Sequence, residues 1–191
     1  MQRRQLLKYF VGAAVSFMAS GAVRAARVLT SFRAVRPPGA LPEKEFIKTC
    51  IGCGQCAMVC PNRAISFFGI NDDAKKLNTP YIVARTKPCI LCMKCGDICP
   101  TGALKKIKRE QNAIVQNVKM GQARVDKNLC LSFQGSTCGV CYRACPLQDV
   151  ALKTGLWERP FVTGACVGCG ICESSCIQMP QAIKVIPHQT S

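Results

Sequence analysis

Histidine is almost missing from this chain: 191 residues include one, His188. Tryptophan is also single, aromatics reach only 6%, and ten acidic residues face 26 Lys and Arg. Each shortage removes a class of function. One histidine cannot supply the two imidazoles of a Rieske centre, nor zinc sites that mix Cys with several His. No Cys-x-x-Cys-His run occurs, which excludes covalently attached c-type haem by that signature. No nucleophile–base pair, carboxylate dyad or Gly-rich phosphate loop is recognisable, so the chain is not expected to be an enzyme. With so few aromatics, a large hydrophobic core is not expected. Beyond the first 25 residues, no apolar stretch approaches the roughly twenty residues that a spanning helix needs.

What the chain has in quantity is cysteine. All 16 fall into four quartets. These are Cys50, Cys53, Cys56 and Cys60 before Pro61; Cys89, Cys92, Cys95 and Cys99 before Pro100; Cys130, Cys138, Cys141 and Cys145 before Pro146; and Cys166, Cys169, Cys172 and Cys176 before Ile177. Three quartets read C-x2-C-x2-C-x3-C, the run that ligates [4Fe–4S] clusters in bacterial ferredoxins. Such a cube needs a thiolate at each of four iron corners, so sixteen cysteines imply four cubes and all sixteen as iron ligands. The x2 spacings let one tight loop serve three corners. In two-cluster ferredoxins the fourth cysteine reaches the neighbouring cube. Motifs then work in pairs, and four is an even number; one quartet per cube is the other arrangement. Sixteen ligands for four cubes leave no open iron for substrate.

Disulfides are the competing reading of a Cys-rich exported chain, but disulfide frameworks rarely repeat one spacing four times. Zinc sites gain nothing from the trailing C-x3-C-P. His188 reads as a solvated tail residue. Gly168 and Gly170, between ligands of the fourth quartet, read as small residues that let backbone N–H groups approach cluster sulfurs.

The N-terminus adds an address. Arg3 and Arg4 precede Leu6, Leu7 and Lys8, and Tyr9–Val23 is an apolar and small-residue stretch of fifteen. This is similar to a twin-arginine export signal over residues 1–25, with a cut expected after Ala25 or Ala22. A retained membrane anchor is the rival, disfavoured by the short length. Export of already folded cargo suits clusters built before the thiols meet an oxidising compartment. The expected location is the periplasm, in association with the outer face of the inner membrane. Residues 26–45 contain a Pro-rich stretch, Arg33–Pro42, expected as an extended linker on the surface. A four-cluster domain is expected over 46–191.

The formal charge of +16 suggests nucleic acid, and that reading fails on the cofactor. Four basic residues lie in the first 25, and four cubes at −2 each offset eight more, which leaves about +4. The densest run, Lys105, Lys106, Lys108 and Arg109, reads as a solvated loop, with an acidic partner or anionic headgroups as the functional alternative.

Between quartets the elements are short. Pro61–Ile65 and Pro100–Leu104 write the same turn twice, and Pro180–Ile183 is a shifted third copy. Tyr81–Arg85 and Gln122–Asp126 read as strands leading into the second and third quartets. Elements this short need the metal as core. The expected fold is α+β, ferredoxin-like, with two pseudo-symmetric 2×[4Fe–4S] modules, short hairpins, brief helices and much loop. The metal-free chain is expected to be largely unfolded.

Four stretches carry a family resemblance: Arg36–Leu41 (RPPGAL), Thr79–Arg85 (TPYIVAR), Cys130–Pro146 with its x7 gap Leu131–Thr137, and Met179–Pro187 (MPQAIKVIP). With the quartets and the signal, the chain resembles the ferredoxin-type NapG/MauM family over almost its whole length. NapG proteins tend to carry an insertion where this chain has only Met93-Lys94, and a C-terminal extension; both differences lean toward MauM. The resemblance implies an electron carrier between a membrane-bound, quinol-oxidising iron–sulfur protein (NapH- or MauN-like) and a periplasmic redox enzyme or small carrier, in nitrate reduction or methylamine utilisation. The alternative it implies is a maturation factor for a periplasmic enzyme such as methylamine dehydrogenase. Similarity to larger four-cluster subunits further implies that the second quartet pairs with the third, and the first with the fourth. Cys145 would then join Cys89, Cys92 and Cys95; Cys99 would join Cys130, Cys138 and Cys141; Cys176 would join Cys50, Cys53 and Cys56; and Cys60 would join Cys166, Cys169 and Cys172.

Overall fold

The computed structural model describes residues 34–188 apart from Asp73. The signal expected over residues 1–25 lies outside the described residues. Among the described residues, no helix is long and apolar enough to cross a membrane.

The first sheet has three antiparallel strands in the order β1-β3-β2: β1 is Ala34–Val35, β2 Ile65–Phe67 and β3 Pro80–Val83. Pro80 sits at the first position of its strand, where a missing N–H costs the ladder least. Two further antiparallel pairs follow. β4 (Gly121–Val125) runs antiparallel to β7 (Ile183–Pro187), with Ala123 opposite Val185. β5 (Leu152–Thr154) pairs with β6 (Pro160–Val162). The strands expected at Tyr81–Arg85 and Gln122–Asp126 are β3 and β4: β3 starts one residue earlier and ends two earlier, and β4 is shifted one residue toward the N-terminus.

The helices are brief: α1 Glu43–Thr49, α2 Gln55–Met58, α3 Lys94–Ile98, α4 Gln111–Asn117, α5 Val140–Arg143 and α6 Ile171–Ser174. In α1, Glu43 and Glu45 lie in the first turn and Lys48 in the last, as the helix dipole favours. Its Phe46 is fully buried. Pro100 explains the end of α3: a residue before proline avoids the helical region, and Cys99 is extended at φ −68, ψ 112.

Two apolar clusters form the core. The smaller one surrounds Phe46 with Cys56, Cys95, Ala103 and Leu104. The larger one runs from Val35 and Ile82 through Cys89, Leu91 and Met93 to Cys169, Cys172 and Val185. Among the described residues the buried aromatic side chains are only Phe46 and Phe68. Cysteine occupies positions that Leu or Phe would fill in an ordinary domain of this size.

One expectation needs correction. The described part of the Pro-rich stretch is not a surface linker. Ala34 and Val35 add a strand to the first sheet, Val35 is 1% exposed, and Pro37 is fully buried. Arg36 binds both carboxylate oxygens of Glu43 at 2.6 and 2.8 Å and donates to the Thr79 hydroxyl and the Pro80 carbonyl. Its guanidinium also lies over the rings of Phe46 and Phe68. The proline rings serve as apolar surface, and the one charge among them is paired and stacked.

Candidate metal centres

The same backbone device recurs in every quartet. The residue after the second x2-spaced cysteine takes a left-handed conformation: Gly54 at φ 78, Met93 at φ 62, Gly139 at φ 57 and Gly170 at φ 88. It reverses the loop and starts the helix that carries the next cysteine: Cys56 on α2, Cys95 on α3, Cys141 on α5 and Cys172 on α6. Three quartets use glycine there. The second uses Met93, a conformation unfavourable by about 1–2 kcal/mol for an L side chain, but Met93 is 3% exposed. Its burial contributes about 1.5–3 kcal/mol, enough to offset the strain.

Those loops surround four cavities. Site I is lined by Cys50, Cys53, Cys56 and Cys99. Site II is lined by Cys89, Cys92, Cys95 and Cys60. Site III is lined by Cys130, Cys138, Cys141 and Cys176, and site IV by Cys166, Cys169, Cys172 and Cys145. The spaces measure about 350, 320, 380 and 380 Å³. Four spaces of like size, each with four thiols, suggest one kind of guest repeated four times. All sixteen cysteines are free thiols, so the structure has no disulfide framework.

The crossed pattern of three cysteines from one loop and one from another is present, but between different quartets from those expected. First pairs with second, and third with fourth. Cys145 lies with Cys166, Cys169 and Cys172 rather than with Cys89. Cys99 lies with Cys50, Cys176 with Cys130, and Cys60 with Cys89. Helix packing is the physical reason: α2 packs on α3 and α5 on α6, so each fourth cysteine meets its neighbour in sequence.

The donor sets fit a [4Fe–4S] cube. Among the described residues no three His, Cys, Asp or Glu side chains converge on a point that a single ion could occupy. A mononuclear tetrahedral zinc draws four sulfurs onto one centre, whereas a cube takes each thiolate at a different corner. The walls are otherwise apolar: Ala64, Ile65 and Ile82 at site II, and Leu147, Leu152 and Val185 at site IV. Backbone N–H groups already point at sulfur. Ala64 donates to Cys60 Sγ at 3.3 Å, and Leu91 to Cys89, Leu104 to Cys99 and Ala123 to Cys166, each at 3.4 Å. The repeated turn after the fourth cysteine thus returns an N–H to that cysteine.

Burial pushes the thiols of Cys89, Cys95 and Cys169 up to about 12, with neighbouring cysteines adding to the shift. It pushes Cys56 and Cys141 up to about 11. Cys99 goes the other way. Burial raises it, but donors from Leu104, Thr101 and Gly102 outweigh that, and its net shift is downward. Without a cation burial holds the thiols of Cys56, Cys89, Cys95, Cys141 and Cys169 in the protonated form; iron would supply the positive charge that thiolates need.

Some contributors were not foreseen. Glu173, 2% exposed, follows Cys172 on α6 and accepts the Val185 N–H at 2.6 Å. Arg85, within the TPYIVAR stretch, donates to the carbonyls of Glu173, Ser174 and Cys176 at the C-terminal end of α6. Gly168 and Gly170 have a packing reason in addition to the one expected. A Cβ on Gly168 would stand 2.5 Å from the Gly121 backbone, and one on Gly170 would stand 2.4 Å from Ala84 Cβ. Both serve close packing of chain on chain. The basic run Lys105–Arg109 is largely exposed, as a solvated loop should be, and so is His188.

The family described as a 4Fe-4S dicluster domain (Fer4_7) matches residues 49–103. That segment holds the first two quartets alone, and sites I and II draw all eight thiols from it. The MauM protein of Methylophilus methylotrophus, a methylamine utilization ferredoxin-type protein, is 35% identical over 97% of this chain and 85% of its own. The chain belongs to the ferredoxin-type MauM/NapG family. A second MauM, from Methylorubrum extorquens, is 35% identical over 98% of this chain and 90% of that protein. The ferredoxin-type protein NapG of Escherichia coli is 38% identical over 80% of this chain and 70% of its own. Identity does not separate the two names, although these MauM alignments cover more of the MauM/NapG-type chain described here.

Proposed function

We propose that this protein is a non-catalytic electron carrier with four [4Fe–4S] clusters in two pseudo-symmetric modules of two. One module comprises sites I and II, the other sites III and IV. One observation carries this reading: four cavities of similar size, each lined by four free thiols in a crossed three-plus-one pattern. A cluster, when bound, takes up and gives back one electron. The chain's own residues do the rest. The sixteen cysteines hold the irons, and no side chain is left as a catalytic group. Apolar walls keep water from the thiolates. N–H groups of Ala64, Leu91, Leu104 and Ala123 stabilise negative charge on sulfur.

The family membership supports the partner classes: a membrane-bound quinol-oxidising iron–sulfur protein on one side, and a periplasmic redox enzyme of methylamine utilisation or nitrate reduction on the other. The twin-arginine-like start at Arg3-Arg4 supports export to the periplasm with clusters already in place.

The test is iron and acid-labile sulfide per chain on anaerobically purified protein, with EPR after dithionite. Close to sixteen of each, with coupled S = 1/2 signals, is the expected result. Little iron, with the cysteines paired in a thiol titration, would overturn the reading. Arg3→Lys with Arg4→Lys should leave the protein in the cytoplasmic fraction; unchanged export would overturn the localisation. Cluster oxidation state that cycles in step with turnover of the periplasmic enzyme identifies a carrier; a need confined to that enzyme's biosynthesis sinks the carrier role.

A further inference from the structure

The helices that carry the ligands also connect the sites. α2 places Cys56 in site I and leads to Cys60 in site II, while α3 places Cys95 in site II and leads back to Cys99 in site I. α5 and α6 repeat this for sites III and IV: Cys141 and Cys176 serve site III, and Cys145 and Cys172 serve site IV. Each pair of helices packs together, so site I adjoins site II and site III adjoins site IV.

The remaining link joins site II to site IV. The Cys89 N–H donates to the Cys169 carbonyl at 2.9 Å. Gly170, next to Cys169, lies so close to Ala84 that an added Cβ would stand 2.4 Å from the alanine's own. Cys89, Cys169 and Cys172 share the larger apolar cluster, whereas Cys56 and Cys95 belong to the smaller one around Phe46.

We infer that the four sites form one unbranched row in the order I, II, IV, III, with the third and fourth quartets reversed in space relative to the sequence. This rests on the reading of all four sites as cluster sites. The burial of the thiols follows the same order. Each inner site has two buried cysteines, Cys89 and Cys95 at site II and Cys169 and Cys172 at site IV. Each end site has one, Cys56 at site I and Cys130 at site III, and Cys53 of site I is the exposed thiol among the sixteen. Exchange with outside donors and acceptors is therefore confined to the two ends, and the inner pair bridges the two modules.

The row makes the effect of deleting one site depend on its place. In the dithionite-reduced holoprotein, Cys92→Ser should remove site II and leave site I as an isolated, uncoupled S = 1/2 signal beside a coupled remainder. Cys53→Ser should remove an end and leave three coupled sites. If Cys92→Ser leaves every remaining signal coupled, the row is wrong. A second measurement spares the ligands. Nitroxide labels on Ile51→Cys, Ile90→Cys and Ile177→Cys, each position exposed and each lining its own cavity, report sites I, II and III in otherwise unaltered holoprotein. The 51–177 distance should clearly exceed the 51–90 distance, and equal distances overturn the row. Iron well below sixteen in the unaltered protein would instead remove the four-cluster reading beneath it.

Discussion

A carboxylate buried beside a redox site acts on its potential through charge, and Glu173 is so placed. It is 2% exposed, next to Cys172, and its Oε2 accepts the N–H of Val185, which lines site IV. Glu173→Gln keeps an acceptor for that N–H and removes the negative charge. Reduction of site IV should become easier, with a potential raised by tens of millivolts, since unit charges about 10 Å apart at an effective dielectric of ~20 interact by about 1.7 kcal/mol. An EPR-monitored redox titration reads the shift, and an unchanged potential would show that the charge is not felt. The thiols set a second expectation at this scale. Cys89, Cys95 and Cys169 are raised to about 12 by burial and by their cysteine neighbours. At every pH below that value protons compete with iron for these sulfurs. Loss of iron to a fixed chelator should therefore quicken as pH falls from about 8 to about 6, measured as decay of the cluster absorbance. A rate that is flat or rises with pH contradicts this. The cysteines themselves were fully legible in the sequence because spacing alone defines the motif. Glu173 was not, because one acid in a short helix carries no sign of what folds over it.

At the scale of elements, the same glycine of the repeat has two prices. Gly54 and Gly170 both follow a ligand and both have positive φ, 78 and 88. A Cβ on Gly54 would meet nothing within 4 Å, while one on Gly170 would stand 2.4 Å from Ala84 Cβ. Gly54→Ala should then destabilise by only the left-handed strain, about 1–2 kcal/mol. Gly170→Ala adds overpacking worth about 1–3 kcal/mol more. Thermal loss of cluster absorbance should separate the two variants, and equal losses would contradict the close approach. Arg85→Met tests the other contact on α6. It removes a cation that donates to three carbonyls at the helix C-terminus, an interaction worth up to about 2 kcal/mol in part-buried settings. The ligands on and just after α6, Cys172 and Cys176, should become labile before those of site I. The strands β3 and β4 were legible because β-branched and alternating residues mark them. The destination of each fourth cysteine was not. It depends on which short helices pack, and the neighbours in sequence, α2 with α3 and α5 with α6, won over the order borrowed from larger proteins. The place of the Pro-rich stretch is not legible for a related reason: composition marks it as non-helical, but only packing shows that Val35 and Pro37 are buried.

The whole molecule holds together around its four cavities. Buried aromatic side chains among the described residues number two, Phe46 and Phe68, and much of the remaining apolar interior is cysteine, alanine, valine and short aliphatic residues. Without iron, walls such as Ile65, Ile82, Leu147 and Leu152 would face spaces in which water has few polar partners, and the small core offers little to hold those spaces open. Removing iron from the holoprotein with a chelator under reducing conditions should therefore abolish far-UV circular dichroism in step with the cluster absorbance. Reconstitution with iron and sulfide should restore both together. A chain that keeps its far-UV signal after all iron has gone would show that the protein core, rather than the metal, carries the fold.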